Sequence, residues 1–437
     1  MTKSNRILSQ LRKFESPNVT FLDPDGTWPI VWQRARGMHV WDEDGRKYLD
    51  LTAAFGVAAA GHANAAVVRA GRQQMGELLH AMGDVHPHAL KAQLARELSR
   101  VTFERWFQPA GGKTTGTART IFCNSGFEAV EAAIKTALLA TLKQGVLAFE
   151  RGYHGLGYGA LNVTHRDLFR DPFLKQLGGF GTFVKFPCGE ADLAEVEQLL
   201  MRHFETGSIG AVVVEPIQVR GGMNIPPEGF LPLLRRLCDR FGALLILDEI
   251  YTGFGRTGKW FACETSKTIP DLICLGKALT GGFPLSACVG KAEVMERAWP
   301  PSHGEAIHTS TFLGHPVGCA MALAQLKELR EHKLVAASAQ AGKLLLTALK
   351  QLDRVGAWQV TARGRGLLIG VEVSRPGQAP NTEDTIQIVK DLLKTGYLVL
   401  PEGESGNVIG ITPPLIITGP QIEATVKALK KVLEATP

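Results

Sequence analysis

Short, largely apolar runs recur through the middle of the chain, at residues 119–123, 145–149, 209–214, 243–247 and 272–275. Each has the length of a strand, and a run without polar alternation predicts a strand buried on both faces, as in a parallel sheet. Between them, 124–140 is filled with Ala and Leu and 228–241 is amphipathic, both in helical spacing. Residues 119–290 therefore predict alternating strands and helices around a mostly parallel sheet. The pattern then changes. Residues 316–352 predict helix almost throughout, and from about 366 short strands (LLIGVEV, YLVLP, VIGITPPL) sit between helices at 382–394 and about 421–433. That mixture predicts a smaller α+β domain. At the other end, 1–36 is mixed and Pro-interrupted, and MHVWDEDGRKYLDL predicts a hairpin turning at Asp44-Gly45. The small, glycine-containing run 53–60 suits backbone passing close to another group. The expected division is an N-terminal arm and hairpin at 1–60, a large α/β domain at 61–325 and a small domain at 326–437.

Three of the runs end in charged residues: Glu215, Asp248 and Lys277. In a parallel sheet such ends open onto the crevice where ligands bind. A buried acid and amine are costly unless paired or bonded to a ligand. Taken alone, Asp248 and Lys277 read more readily as a structural ion pair, or as an acid beside a lysine that runs out to solvent. Two further stretches shift the balance. NSGFEAVEAAIK opens a helix with Ser125 and Glu128 spaced as a capping box, in which the Ser125 side chain takes the Glu128 amide. The amides of Gly126 and Phe127 are then left at the positive end of the helix, an anion site suited to phosphate. RGYHGLGYG is a glycine-rich turn whose Tyr153 offers a flat face, although a single tyrosine is more often packing. These parts suit pyridoxal 5′-phosphate, which needs a lysine for its aldehyde, a carboxylate for its ring nitrogen, a phosphate site and a stacking partner.

Two competing motifs fail on context. PAGGKTTGT resembles a phosphate loop, but the required glycine position is Phe107 and no helix pattern follows. GFGRTG (253–258) matches a dinucleotide loop, yet KWFACETSKTIPD after it is a poor helix broken by Pro270, so the motif reads as a turn. Composition narrows the class further. The 437 residues are 45% hydrophobic and 21% charged, and the net charge of +6 is scattered rather than clustered. Nucleic acid is not the expected partner. No apolar stretch approaches the roughly 20 residues that span a bilayer, and MTKSNRILSQLRKF lacks the apolar core of a signal peptide. The seven cysteines show no metal-binding spacing, so no metal is expected and a reducing, cytoplasmic setting is the default.

The order VWDEDGRKYLDL, GH, NSGFEAVEAAIK, YHG, VVVEPIQ, LLILDEIYTGFGRTG, PDLICLGKAL, TFLGHP, RGRGLLIGVEV and PPL resembles the class III pyridoxal-phosphate aminotransferases, the family of ornithine and 4-aminobutyrate aminotransferases. The resemblance covers nearly the whole chain. It implies the type I fold of such enzymes and a homodimer, or a larger assembly, with active sites at the subunit interface. It also implies ping-pong transfer from an amino acid or amine to a 2-oxo acid, pyruvate or 2-oxoglutarate. By position, Lys277 is the Schiff-base lysine and proton carrier, and Asp248 pairs with the ring nitrogen. Gly126 and Phe127 give phosphate amides, Tyr153 stacks on the ring, and Thr311 reaches the neighbouring subunit's phosphate. Glu215 and Tyr251 join the cofactor-contacting set. Arg363 resembles the arginine that holds a substrate carboxylate.

Four positions depart from the family pattern. Phe127 replaces a small or hydroxyl residue, and Tyr251 stands where a glutamine usually contacts the cofactor's phenolic oxygen. Arg220 occupies the place of a glutamate that masks the carboxylate-binding arginine, which makes it a second substrate-facing candidate. Gly410 replaces an arginine. The departures at Arg220 and Tyr251 leave room for another pyridoxal-phosphate reaction on the same fold, by an aminomutase, a racemase or epimerase, or a decarboxylating transaminase. A non-catalytic protein keeping the fold is a third reading, against which the intact Lys277 and Asp248 argue.

Overall fold

The predicted hairpin forms at the start of the chain, where β1 (Trp32–Arg36), β2 (His39–Asp42) and β3 (Lys47–Asp50) pair antiparallel in sequence. Asp42 Oδ1 accepts the amides of Asp44 and Arg46, at 3.1 and 2.8 Å, and Gly45 supplies the positive φ (86°) that the turn needs. The structure, a computed structural model, describes residues 2–23, 26–108 and 116–436. Most of PAGGKTTGT, residues 109–115, lies outside the described residues.

The central runs become β4 (Ala118–Cys123), β5 (Gly145–Phe149), β6 (Gly181–Val184), β7 (Ile209–Val214), β8 (Leu244–Asp248), β9 (Leu272–Leu275) and β10 (Ser286–Lys291). They form one sheet in the order β4-β10-β9-β8-β7-β5-β6. From β9 to β6 every pairing is parallel, and β10 runs antiparallel to both β9 and β4. The carboxyl ends of β4, β5, β7, β8 and β9 thus share one edge with the first residue of β10.

Side chains leave the sheet alternately. Val212, Val214, Leu245, Leu247, Ile273 and Leu275 join the main core, to which the helix Phe230–Phe241 contributes Phe230, Leu234 and Leu237. Ala211, Val213, Leu244, Ile246, Leu272 and Cys274 lie on the other face with Ala129, Ala132, Ala133 and Ala137 of the helix Gly126–Thr141. Leu245, Ile246 and Leu247 are fully buried. At about 1.5–3 kcal/mol for each buried aliphatic side chain, they fix Asp248 at the sheet edge.

The C-terminal strands are β11 (Arg354–Val355), β12 (Trp358–Arg365), β13 (Leu368–Ser374), β14 (Tyr397–Leu398), β15 (Leu400–Glu402) and β16 (Val408–Ile411). Five of them form a second sheet, β11-β12-β13-β16-β15, while β14 pairs parallel with β3 and ties the N-terminal hairpin to this part of the chain. GFGRTG is a turn. Its buried Arg256 donates from Nη1 to the carbonyls of Leu367 and Pro413, at 3.0 and 2.5 Å, and so clamps the turn onto the C-terminal region. Among the described residues no helix is long and apolar enough to cross a membrane.

Candidate active site

Polar residues just beyond the shared sheet edge surround a cavity of about 560 Å3, within the size range of cofactor pockets. Of the residues that the sequence singles out, Gly126, Phe127, Tyr153, Glu215, Arg220, Asp248, Tyr251 and Lys277 line it. Lys277 follows β9 after one glycine and takes φ +43°, a left-handed conformation uncommon for a residue with a side chain. Its Nζ lies 4.5 Å from the centre of the Tyr251 ring. Burial holds the lysine below its ordinary pKa, against the opposing charges of Asp248, Glu215 and Glu402.

Asp248 is buried, and its Oδ2 lies 2.8 Å from Nδ1 of the equally buried His154. Burial works against the charged imidazole, but the bond to Asp248 and its charge outweigh it and raise the His154 pKa. Oδ1 of Asp248 accepts the Ile250 amide at 3.1 Å. Glu215 binds two segments together, accepting the amides of Tyr153 (3.0 Å) and Val219 (3.3 Å), and burial pushes its pKa up to about 7.

The start of the helix Gly126–Thr141 departs from the expected capping box. Neither half of the box forms: Glu128 accepts the amide of Asn124, the residue before the cap, at 2.7 Å, and Ser125 makes no side-chain cap. Its Oγ is buried without a hydrogen-bond partner among the described residues. An orphaned hydroxyl beside the first amides of a helix, which have no intrahelical acceptor, is the complement of a phosphate group. With an acid and a lysine facing the same cavity, the residues present fit pyridoxal 5′-phosphate.

Two candidate positions are not among the lining residues. Thr311, expected at the neighbouring subunit's phosphate, sits in an exposed turn. Arg363, on β12, is the other. Its guanidinium donates to the Met223 carbonyl (3.0 Å) and the Gly222 carbonyl and pairs with Glu372 at 2.9 Å. The arginine that does face the cavity is Arg220, with Cζ 5.5 Å from the Tyr153 ring centre.

Sequence reasoning missed His154 and Glu402. His154 stands inside the YHG motif, and nothing in the sequence connects it to Asp248. Glu402 is 3% exposed, its Oε2 has no hydrogen-bond partner among the described residues, and Arg220 Nε lies 3.9 Å from that oxygen. Burial raises its pKa to about 7, partly offset by Arg220 and Lys277. The signal for Glu402 was Gly410. A Cβ at that position would lie 2.8 Å from Glu402 Cγ, so the glycine makes room for the acid.

The run 53–60 passes close to a side chain, as its composition predicts. A Cβ on Gly56 would lie 2.8 Å from Tyr251 Cε1. The Tyr251 hydroxyl turns to Thr412 Oγ1 at 3.2 Å, and Thr412 in turn donates to the Thr52 carbonyl at 3.2 Å.

The model of the class-III aminotransferases matches residues 22–433. The acetylornithine aminotransferase of Methanosarcina acetivorans is 36% identical over 406 residues, 93% of this chain and 92% of that protein. Among solved structures, a Bacillus anthracis aminotransferase superposes with a TM-score of 0.88 at 27% identity, over 100% of both chains. An amine transaminase from an uncultivated Pseudomonas species, in its PLP-bound form, superposes with a TM-score of 0.86 at 28% identity, over 97% of this chain and 99% of that one.

Proposed function

The chain belongs to the class III aminotransferases, and on that premise we propose how its own residues carry out pyridoxal-phosphate-dependent amino transfer. The observation that carries the reading is that Lys277, Asp248 and the first turn of the helix Gly126–Thr141 face one cavity. When bound, the cofactor supplies an aldehyde that takes up an amine and a ring that withdraws electrons from the substrate. The amides of Gly126 and Phe127, with Ser125 Oγ beside them, would hold the phosphate. Asp248, backed by His154, would keep the ring nitrogen protonated, and Tyr153 would offer its face to the ring. Glu215 fixes the Tyr153 turn against the loop after β7. Lys277 would hold the aldehyde through Nζ, and with Nζ free it would carry the proton that the substrate's α-carbon gives up.

Arg220 reads the carboxylate of the 2-oxo acid, for which pyruvate and 2-oxoglutarate are the proposed acceptors, and Glu402 is its resting counter-charge. A guanidinium suits that task because it meets a carboxylate with two parallel donors. Arg363, bonded to carbonyls two and three residues beyond Arg220, braces the loop that carries it.

We assign the working unit as a homodimer. Leu79, Met82, Val85, Ile307 and Phe312 are all more than half exposed. Their two segments touch, with Thr309 Oγ1 2.7 Å from Asp84 Oδ2 and the His80 and Phe312 rings 5.2 Å apart. An apolar patch of this kind suits contact with a second copy, and it would bring Thr311 of each copy toward the other's phosphate position. The division at 1–60, 61–325 and 326–437 and a cytoplasmic setting belong to the same reading, which the seven free cysteines support.

A screen of α-amino acids, ω-amino acids and simple amines against pyruvate and 2-oxoglutarate tests it. Amino transfer to at least one oxo acid, weakened in Arg220→Ala, is the expected result. No transfer from any donor would overturn the reading. Unchanged oxo-acid affinity in Arg220→Ala would overturn the carboxylate assignment alone.

A further inference from the structure

We propose that Tyr251 is a positioning residue for Lys277, and that its ring face, rather than its hydroxyl, holds the ε-ammonium whenever Nζ carries the transferred proton. The inference rests on the proton-carrying role assigned to Lys277 above.

The geometry separates the two ends of the tyrosine. Nζ lies 4.5 Å from the ring centre, within the roughly 6 Å over which an aromatic face attracts a cation. The hydroxyl points to Thr412. Because the single Thr412 proton goes to the Thr52 carbonyl, the tyrosine is the donor in that bond. The ring is held from behind as well, since Gly56 leaves no more than the space that the ring fills.

The charged groups around Nζ come from every side of the cavity. Asp248 and Glu215 lie at the sheet edge and Glu402 on β15, all favouring the ammonium, while Arg220 opposes it. Asp248 is taken up by His154 and the Ile250 amide, and Glu215 by the Tyr153 and Val219 amides. No hydrogen bond joins Nζ to a carboxylate among the described residues, so the ring is the close contact that a cation at this atom finds. Lys277 needs two positions: one bonded to the cofactor and one free with its proton. The ring face supplies the second without offering an acceptor that would trap the proton.

Two measurements test this on wild type, Tyr251→Phe, Tyr251→Leu and Tyr251→Gln. In the cofactor-stripped protein, the pH dependence of Lys277 acetylation by trace acetic anhydride, read by mass spectrometry, reports the proton affinity of Nζ. In the holoenzyme, the single-turnover rate with donor alone is followed against pH. A cation–ring contact of this kind shifts a pKa by roughly half a unit to one and a half units. Tyr251→Phe, which keeps the face, is expected to keep the wild-type Nζ pKa and the wild-type position of the acid limb, whatever its maximal rate. Tyr251→Leu and Tyr251→Gln are expected to lower the Nζ pKa by that amount and to move the acid limb of the rate profile to lower pH. Unshifted Leu and Gln variants would overturn the proposal. So would a Phe variant that shifts as far as Leu, which would assign the effect to the hydroxyl. Full turnover by Lys277→Ala would instead remove the role of the lysine, whatever Tyr251 does.

Discussion

His154 Nδ1 lies 2.8 Å from Asp248 Oδ2 with both side chains buried, so the acid at the end of β8 has a hydrogen-bonding imidazole behind it as well as a cavity in front. A hydrogen bond to a charged group is worth about 1.5–3 kcal/mol. His154→Ala is therefore expected to lower kcat/KM about ten- to a hundredfold, with the cofactor still bound. Asp248→Asn, which removes the charge itself, is expected to cost more. Steady-state kinetics at saturating cofactor decide both.

The two arginines are expected to fail in different ways. Arg220→Ala should raise the KM for a 2-oxo acid about ten- to a hundredfold, the loss of a charge-assisted pair, and leave the melting temperature close to wild type. Arg363→Ala removes two carbonyl contacts and the pair with Glu372. It should destabilise the protein by about 2–3 kcal/mol. Thermal unfolding and oxo-acid saturation curves on both variants separate the roles.

What the sequence made visible follows from where each residue's partners lie. Asp248 and Lys277 interrupt apolar runs, and a charge there stands out without any knowledge of the fold. The parallel sheet was readable for the same reason, because strands buried on both faces carry no polar alternation. The antiparallel direction of β10 was not, since direction leaves no mark on a short buried strand. The local pattern permits Ser125 as a cap, whereas the structure leaves its hydroxyl buried and unpartnered among the described residues. Arg363 belongs to a motif, yet its partners Gly222, Met223 and Glu372 come from another loop and the neighbouring strand. Glu402 depends on a glycine on the neighbouring strand and an arginine far earlier in the chain, a convergence that only the folded chain displays.

Gly410 and Glu402 are expected to be energetically coupled. A Cβ at 410 would lie 2.8 Å from Glu402 Cγ, and overpacking of this kind costs about 1–3 kcal/mol. Gly410→Ala should be destabilising by that amount in wild type and nearly neutral in Glu402→Ala. Equal effects in both backgrounds of the double-mutant cycle would show that the glycine does not serve the acid.

Stability should depend on pH through the same acid. Burial raises the Glu402 pKa from 4.5 to about 7. Between those values the folded protein keeps a proton that the unfolded chain has released. Its contribution is full below about pH 4.5 and is lost as pH rises through about 7. For one such group the change over the whole window is about 3 kcal/mol. Glu215 and Glu249 add to it in the same window. Urea unfolding of the cofactor-free protein at pH 5 and pH 8 should show the fall in wild type and a smaller one in Glu402→Gln.

The central claim is that Lys277 Nζ moves the proton in an amino transfer that needs two substrates in turn. The direct measurement mixes holoenzyme with excess amino donor and no oxo acid, and counts the oxo product released per active site. Wild type should yield about one equivalent and stop until an oxo acid is added. Lys277→Ala should be slower by at least the roughly 10²–10⁴-fold that positioned acid–base catalysis contributes. Continuous product without an acceptor, or a Lys277→Ala rate equal to wild type, would contradict the account.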